Sequence, residues 1–199
     1  MRNRNAILDA ALDRFLIDGY VATTIAAVAN TAGVSVETIY KSFGSKAGLV
    51  TAIWQRGLTG HGPVPAPVRS DRMQQREANP RAIIANWAKL TTEVMPLVAS
   101  ILLLIRSAAT LDPEMATLLA DSDRQRLQRM RHNAKSLAEH LRPGITQTAA
   151  AEVLWLYSAP DLYDLLVLRR GWPMRRYRRF LADAMTAALL PPQAPTGGG

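Results

Sequence analysis

The chain reads as an all-α protein of about ten helices, a three-helix domain with a helix-turn-helix followed by a C-terminal helical bundle. Three observations predict this. From Ile7 to Leu190 apolar residues recur three and four positions apart, and no stretch alternates with the period of two that a strand requires. Helix starts (Thr24, Ser35, Ser45, Asp112, Thr146) and helix stops (Gly19, Gly33, Gly171) fall where each apolar stripe begins or ends. With 199 residues, 48% of them hydrophobic, and no cysteine, the chain can bury a core without covalent staples.

The first helix runs from Ile7 to Asp18. Ile7, Leu8, Ala11, Leu12, Phe15 and Leu16 share its inner face, and Asp9, Asp13, Arg14 and Asp18 the outer one. Thr24 then caps a short helix carrying Ile25, Val28, Ala29 and Ala32. Gly33 takes the positive φ that ends it, and Val34 plugs the corner. A side chain larger than Ala29 would hold the two helices apart. Ser35 caps the next helix, Val36 to Phe43, whose side chains divide between core and edge. Two helices set at an angle by a glycine turn leave the second one protruding, a shape that fits a DNA major groove. Taken alone, Ala-x-x-x-Gly-Val-Ser also joins ordinary packed helices. Ser45 opens a fourth helix to Leu58 with Leu49, Ile53 and Trp54 inside. Lys46 stands in its first turn against the helix dipole, a placement that suits an opposing phosphate.

Residues 59–79 hold three prolines within five positions and no helical period before Met73, so they read as a mobile connector, with a domain boundary near Thr59. From Pro80 to 190 the pattern is helical again. Ile83, Trp87, Leu90 and Val94 form one stripe, and Pro96 divides that helix from the next. Leu97 to Ala109 is apolar nearly all round, as in a helix covered on every side, yet too short to cross a bilayer. Asp112-Pro113-Glu114 starts a long helix with Leu127, Met130, Ala134, Leu137 and Leu141, stopped at Arg142-Pro143-Gly144. Thr146 caps a helix through Tyr157. Pro160 interrupts it, and Leu162 to Leu168 continue. After Gly171-Trp172-Pro173 a last helix carries Met174, Tyr177, Leu181, Met185 and Ala188 on one side, and the tail 191–199 reads as disordered.

The run T-I-Y-K-S-F-x-S-K-x-x-L-x-x-A, within Ile7 to Trp54, resembles the DNA-binding domain of the TetR family of transcriptional regulators. P-D-L-Y-D-L-L-V-L-R-R-G-W before the last helix is similar to one subgroup of that family. The resemblance implies a homodimer on a palindromic double-stranded DNA operator, released by a small-molecule effector. Thr24, Ser35 and Lys46 then meet phosphates, and Val36, Glu37, Thr38 and Lys41 meet base edges or the backbone. By resemblance Tyr40 contacts a phosphate or supports the reading helix. Ser42 stands where the family often has His or Tyr, so that backbone contact is in doubt. The family places its interface on the last helices, here Thr146 to Arg169 and Met174 to Leu190, where Ala182, Ala184, Ala187 and Ala188 permit close approach. It places an effector pocket among the helices beginning at Pro80, Leu97 and Asp112. Trp87, Thr91, Met95, Ile105, Arg106, Leu119 and Trp155 are candidates there, as aromatic, Met or isolated polar groups on apolar faces. Arg106 hints at an anionic or hydrogen-bonding group. A DNA-binding dimer with no small-molecule ligand is the alternative.

No nucleophile, base and orienting group can be assembled, and no glycine-rich phosphate loop occurs, so an enzyme is not expected and no cofactor is implied. His61 falls in the connector, and His132 and His140 are too far apart on one helix to share a metal, so none is expected. Asp121 and Asp123 read as ion-pair partners within an arginine-rich helix. The net charge of +8 suits a polyanion, although residues 1–58 carry only six Lys or Arg against four Asp or Glu. Arg2 and Arg4 are placed to touch phosphate or a minor groove, unless the terminus frays. Arg169, Arg170, Arg175, Arg176, Arg178 and Arg179, interleaved with Trp172, Tyr177 and Phe180, form the most basic segment. Alone it suggests RNA or an anionic membrane surface; Tyr177, Leu181 and Met185 on its packing stripe argue instead for a solvated arginine face. With no leader-like N-terminus and no apolar run of spanning length, the expectation is a cytoplasmic protein without a membrane partner.

Overall fold

The computed structural model describes residues 2–60 and 64–193, with the side chains of Arg2 and Asn3 left aside. His61 and the tail beyond residue 193 lie outside the described residues. Among those described there are ten helices and no strand: α1 (Arg2–Ala22), α2 (Ile25–Ala32), α3 (Val36–Phe43), α4 (Lys46–Thr59), α5 (Ala66–Arg76), α6 (Pro80–Ala108), α7 (Pro113–Lys135), α8 (Gln147–Tyr157), α9 (Pro160–Tyr163) and α10 (Met174–Leu189).

The helix number agrees with expectation, but two elements differ. Helix α5 occupies most of the segment expected to be a mobile connector. Its short apolar side is not periodic enough to announce a helix. Proline at its first turn starts it, and a bidentate Arg69–Glu93 ion pair fastens it to α6. Helix α6 runs through Pro96 without dividing. That proline lies on the exposed side, where the carbonyl it leaves without a partner can meet water, while Val94, Met95, Val98 and Ala99 are buried on either side. The merged α6 is the one helix among those described that is long and apolar enough, by length and composition, to cross a membrane. It serves as the central strut, packed by α1, α4, α5, α7, α9 and α10. Leu102, Leu103 and Leu104 are only partly buried, so its second half is not covered on every side.

Smaller departures follow from packing. Leu16 is 50% exposed and leaves the inner face of α1, whose stripe closes on Phe15 and then turns at Gly19 (φ 78°). Helix α7 ends at Lys135, and the following residues form a tight turn (Ala138–His140) that still buries Leu137. Pro160 both interrupts and restarts: α9 passes into wider π-type turns over Asp164–Arg169 before Gly171. The expected boundary near Thr59 is no gap, because one apolar cluster continues from Ile7 to Leu190. Helices α4 and α6 approach so closely that a Cβ on Gly57 would stand 2.7 Å from Val98 Cγ1 and 3.0 Å from the Leu97 carbonyl oxygen.

Candidate nucleic-acid interface and effector cavity

Local capping orients the reading head. The Thr24 hydroxyl accepts from Ala27 N at 3.1 Å and opens α2. Gly33, at φ 66° and ψ 35°, ends it in the left-handed region. The Val34 amide returns to the Ala29 carbonyl at 3.0 Å, closing the corner that small residues permit. Ser35 then caps α3, its Oγ accepting from Thr38 N at 3.1 Å and lying 2.8 Å from Thr38 Oγ1. Only Ile39 of α3 is buried. Val36 (40% exposed), Tyr40 (50% exposed), Glu37 and Lys41 face outward, with Ser35 exposed and Thr38 partly so. A rod so lightly anchored can enter a groove.

Two cations differ from expectation. Lys46 is turned inward: its Nζ donates to the carbonyls of Tyr20 (2.9 Å) and Thr23 (3.2 Å) and lies 4.2 Å from the centroid of the Tyr20 ring. A cation at a helix start is thus satisfied by the carbonyl end of the segment before α2, which withdraws Lys46 from the phosphate-facing set. Arg4 stacks on Phe43 at 4.5 Å and donates to the Ser42 carbonyl, holding the N-terminal turn against α3.

Sequence reasoning missed the residues that join the head to the bundle. Tyr20 Oη donates to Asp112 Oδ2 at 2.6 Å, and Asp112 also caps α7 by accepting from Glu114 N. Burial, reinforced by that carboxylate, pushes the Tyr20 phenol well up. The same hydrogen bond holds the Asp112 carboxyl below its ordinary range. Ser45 Oγ donates to Glu114 Oε2 at 2.8 Å. Gly48 is needed for close approach, since a Cβ there would lie 2.0 Å from the Phe43 carbonyl oxygen. Its only signal in the sequence was its place between Ala47 and Leu49.

A cavity of about 350 Å³ opens among α4 to α8, with Met185 of α10 at its edge. Of the predicted residues, Trp87, Thr91, Met95, Arg106 and Leu119 line it. Ile105 and Trp155 do not: Ile105 is fully buried in the core, and Trp155 lies under the Arg126 guanidinium, 4.2 Å away. Unpredicted members include Trp54, Arg126 and Arg129. Burial lowers the Arg126 pKa from its ordinary value, against the opposing pull of Asp123. Asp121 and Asp123 pair with Arg124 and Arg126, as spacing suggested. His132 lies 3.0 Å from Asp71 of α5, and among the described residues no cluster of three His or acidic groups is spaced to hold a metal.

The family model described as "Bacterial regulatory proteins, tetR family" matches residues 7–53, which are α1 to α4 and the whole of the capped corner. The N-terminal domain belongs to the tetR family. No curated protein matches the chain in sequence. Solved tetR-like structures extend the likeness in fold over both regions. One is NalD, the secondary repressor of the MexAB-OprM multidrug efflux pump in Pseudomonas aeruginosa (19% identity, 95% of this chain and 97% of that one, TM-score 0.74). Another is a transcriptional regulator from Saccharomonospora viridis in complex with choline (20% identity, 95% and 98%, TM-score 0.71). A third is a SmeT–triclosan complex (20% identity, 96% and 93%, TM-score 0.70). In this chain, as in those folds, a tetR-type head sits on a helical bundle.

Proposed function

We propose that this chain is a ligand-responsive transcriptional repressor of the cytoplasm that grips a palindromic operator as a homodimer and releases it when a small molecule fills the cavity. The observation that carries the reading is α3, capped by Ser35 and anchored through Ile39 alone, with Val36, Glu37, Tyr40 and Lys41 presented together. Thr24 and Ser35 sit at helix starts, where amides and hydroxyls suit phosphates. One such rod reads few base pairs, so two copies spaced by about one DNA turn, roughly 34 Å, are needed. Half-exposed Leu156, Leu165 and Leu168, on α8 and the π-type turns, support a dimer contact beside α10. That SmeT is seen with triclosan and the S. viridis regulator with choline supports an effector role for the cavity in this fold.

The test is fluorescence anisotropy on duplex DNA selected from a random pool. Lys41→Ala weakens binding and lowers the salt slope by about one. Lys46→Ala leaves that slope unchanged and lowers thermal stability instead, because its ammonium is used internally. Unchanged affinity on losing Lys41 refutes the reading. Retained DNA binding after truncation before Arg169 separates it from binding through the Arg169–Arg179 segment.

A further inference from the structure

The cavity's charges are already matched. Three arginines line it, and each has its own carboxylate: Arg106 with Asp161, Arg126 with Asp123 at 3.1 Å, and Arg129 with Asp71 at 2.6 and 3.2 Å. Arg126 is bound further by the Trp155 carbonyl and the Trp155 ring. An anion entering here would have to take an arginine from its partner, and a cation would have to take an aspartate. Either leaves a charge unpaired in a low-dielectric space, the costliest outcome for a buried ion pair. Arg106 therefore does not mark an anionic ligand.

The uncharged polar wall is biased toward donors. Trp54 and Trp87 line the cavity, each only 5% exposed, and neither indole N–H has an acceptor in the protein. Two other buried donors without acceptors, Trp155 Nε1 and Tyr177 Oη, belong to residues that do not line it. The remaining small polar groups of the wall are engaged. Ser122 Oγ donates to the Leu119 carbonyl, and Ser70 Oγ and Asn133 Oδ1 both accept from Gln74. A buried donor gains most from a ligand acceptor, since it has no other partner to lose. The rest of the wall is apolar and aromatic, and a volume of about 350 Å³ admits a two-ring molecule with a short substituent.

We infer that the cavity takes an uncharged, largely apolar aromatic ligand bearing hydrogen-bond acceptors, such as carbonyl or ether oxygens, which meet the indole N–H groups of Trp54 and Trp87. The inference rests on the reading of this cavity as the effector site.

Four compounds of one skeleton test it by calorimetric titration of the full chain in the absence of DNA: methyl naphthyl ketone, ethylnaphthalene, naphthoate and naphthylmethylammonium. The ketone is expected to bind tightest, by roughly ten-fold over either ion and by roughly three- to ten-fold over the hydrocarbon, the span of one net hydrogen bond. Trp87→Phe or Trp54→Phe, which keep an aromatic ring, should reduce the ketone's advantage over ethylnaphthalene and leave the hydrocarbon's affinity unchanged. The inference is overturned if either ion matches the ketone, if no compound binds, or if both variants keep the ketone-to-hydrocarbon ratio. The wild-type ranking needs no variant to fold. If the ketone binds in the expected order yet does not release DNA, the ligand class stands and the repressor reading fails.

Discussion

In the reading head, the side chains that set the angle of α3 act on atoms close by in the chain: Ser35 Oγ on the amide three residues on, Thr24 Oγ1 likewise. In the bundle, the groups that shape the cavity find partners far along the chain. Arg106 meets Asp161 at a separation of 55 residues, and Arg129 meets Asp71 at 58. The head is a rigid local construction and the cavity a product of distant packing. Regulation requires the second to act on the first, and the structure provides three connections: Tyr20 to Asp112, Ser45 to Glu114, and Gly57 against Val98. A ligand that favours a different setting of α6 or α7 is transmitted through these contacts to the spacing of two reading heads.

Substitutions can break or sharpen this contrast. The largest effect is expected for Gly48→Ala, which drives a Cβ to 2.0 Å from a backbone oxygen at the α3–α4 corner. A loss of about 3 kcal/mol in urea denaturation, with loss of DNA binding, marks the head as built on close backbone approach. Gly57→Ala acts at the seam, where Val98 can yield more readily than a carbonyl. We expect a cost of about 2 kcal/mol and a changed response to effector, with α3 intact by circular dichroism.

Tyr20→Phe removes one hydrogen bond between the regions, costing about 1 kcal/mol at neutral pH. It also has a pH signature. The folded Asp112 carboxyl titrates below its ordinary value of 3.8, so its contribution is fully present above that value and is lost as pH falls through the depressed one. Denaturation midpoints below pH ~4 should therefore depend less on pH in the variant than in the parent. The smallest effect belongs to the cavity wall. Met95→Leu, nearly volume-conserving beside open space, should cost less than about 1.5 kcal/mol while altering ligand affinity.

Much of the head was legible because its signals are dense and short-range: a cap, a glycine, a second cap. Ser45 and Lys46 were legible as a helix start but not in their roles, since Glu114, and Tyr20 with Thr23, come to them only through folding. Pro96 misled for a related reason. Its local preference to break a helix is overridden by neighbours buried against other helices, which no nearby residue announces.

The sequence by itself determined that the chain is helical, that a capped corner throws α3 outward, and which faces are apolar. These follow from backbone hydrogen-bond closure and from side chains acting within one helical turn. Only the tertiary structure decided that Lys46 faces inward, that Pro96 is carried through, and that the cavity's arginines are neutralised while two tryptophan donors are left without protein acceptors. Those outcomes depend on which distant surfaces meet, and burial energy constrains the sum of such contacts without marking the individual residues that make them.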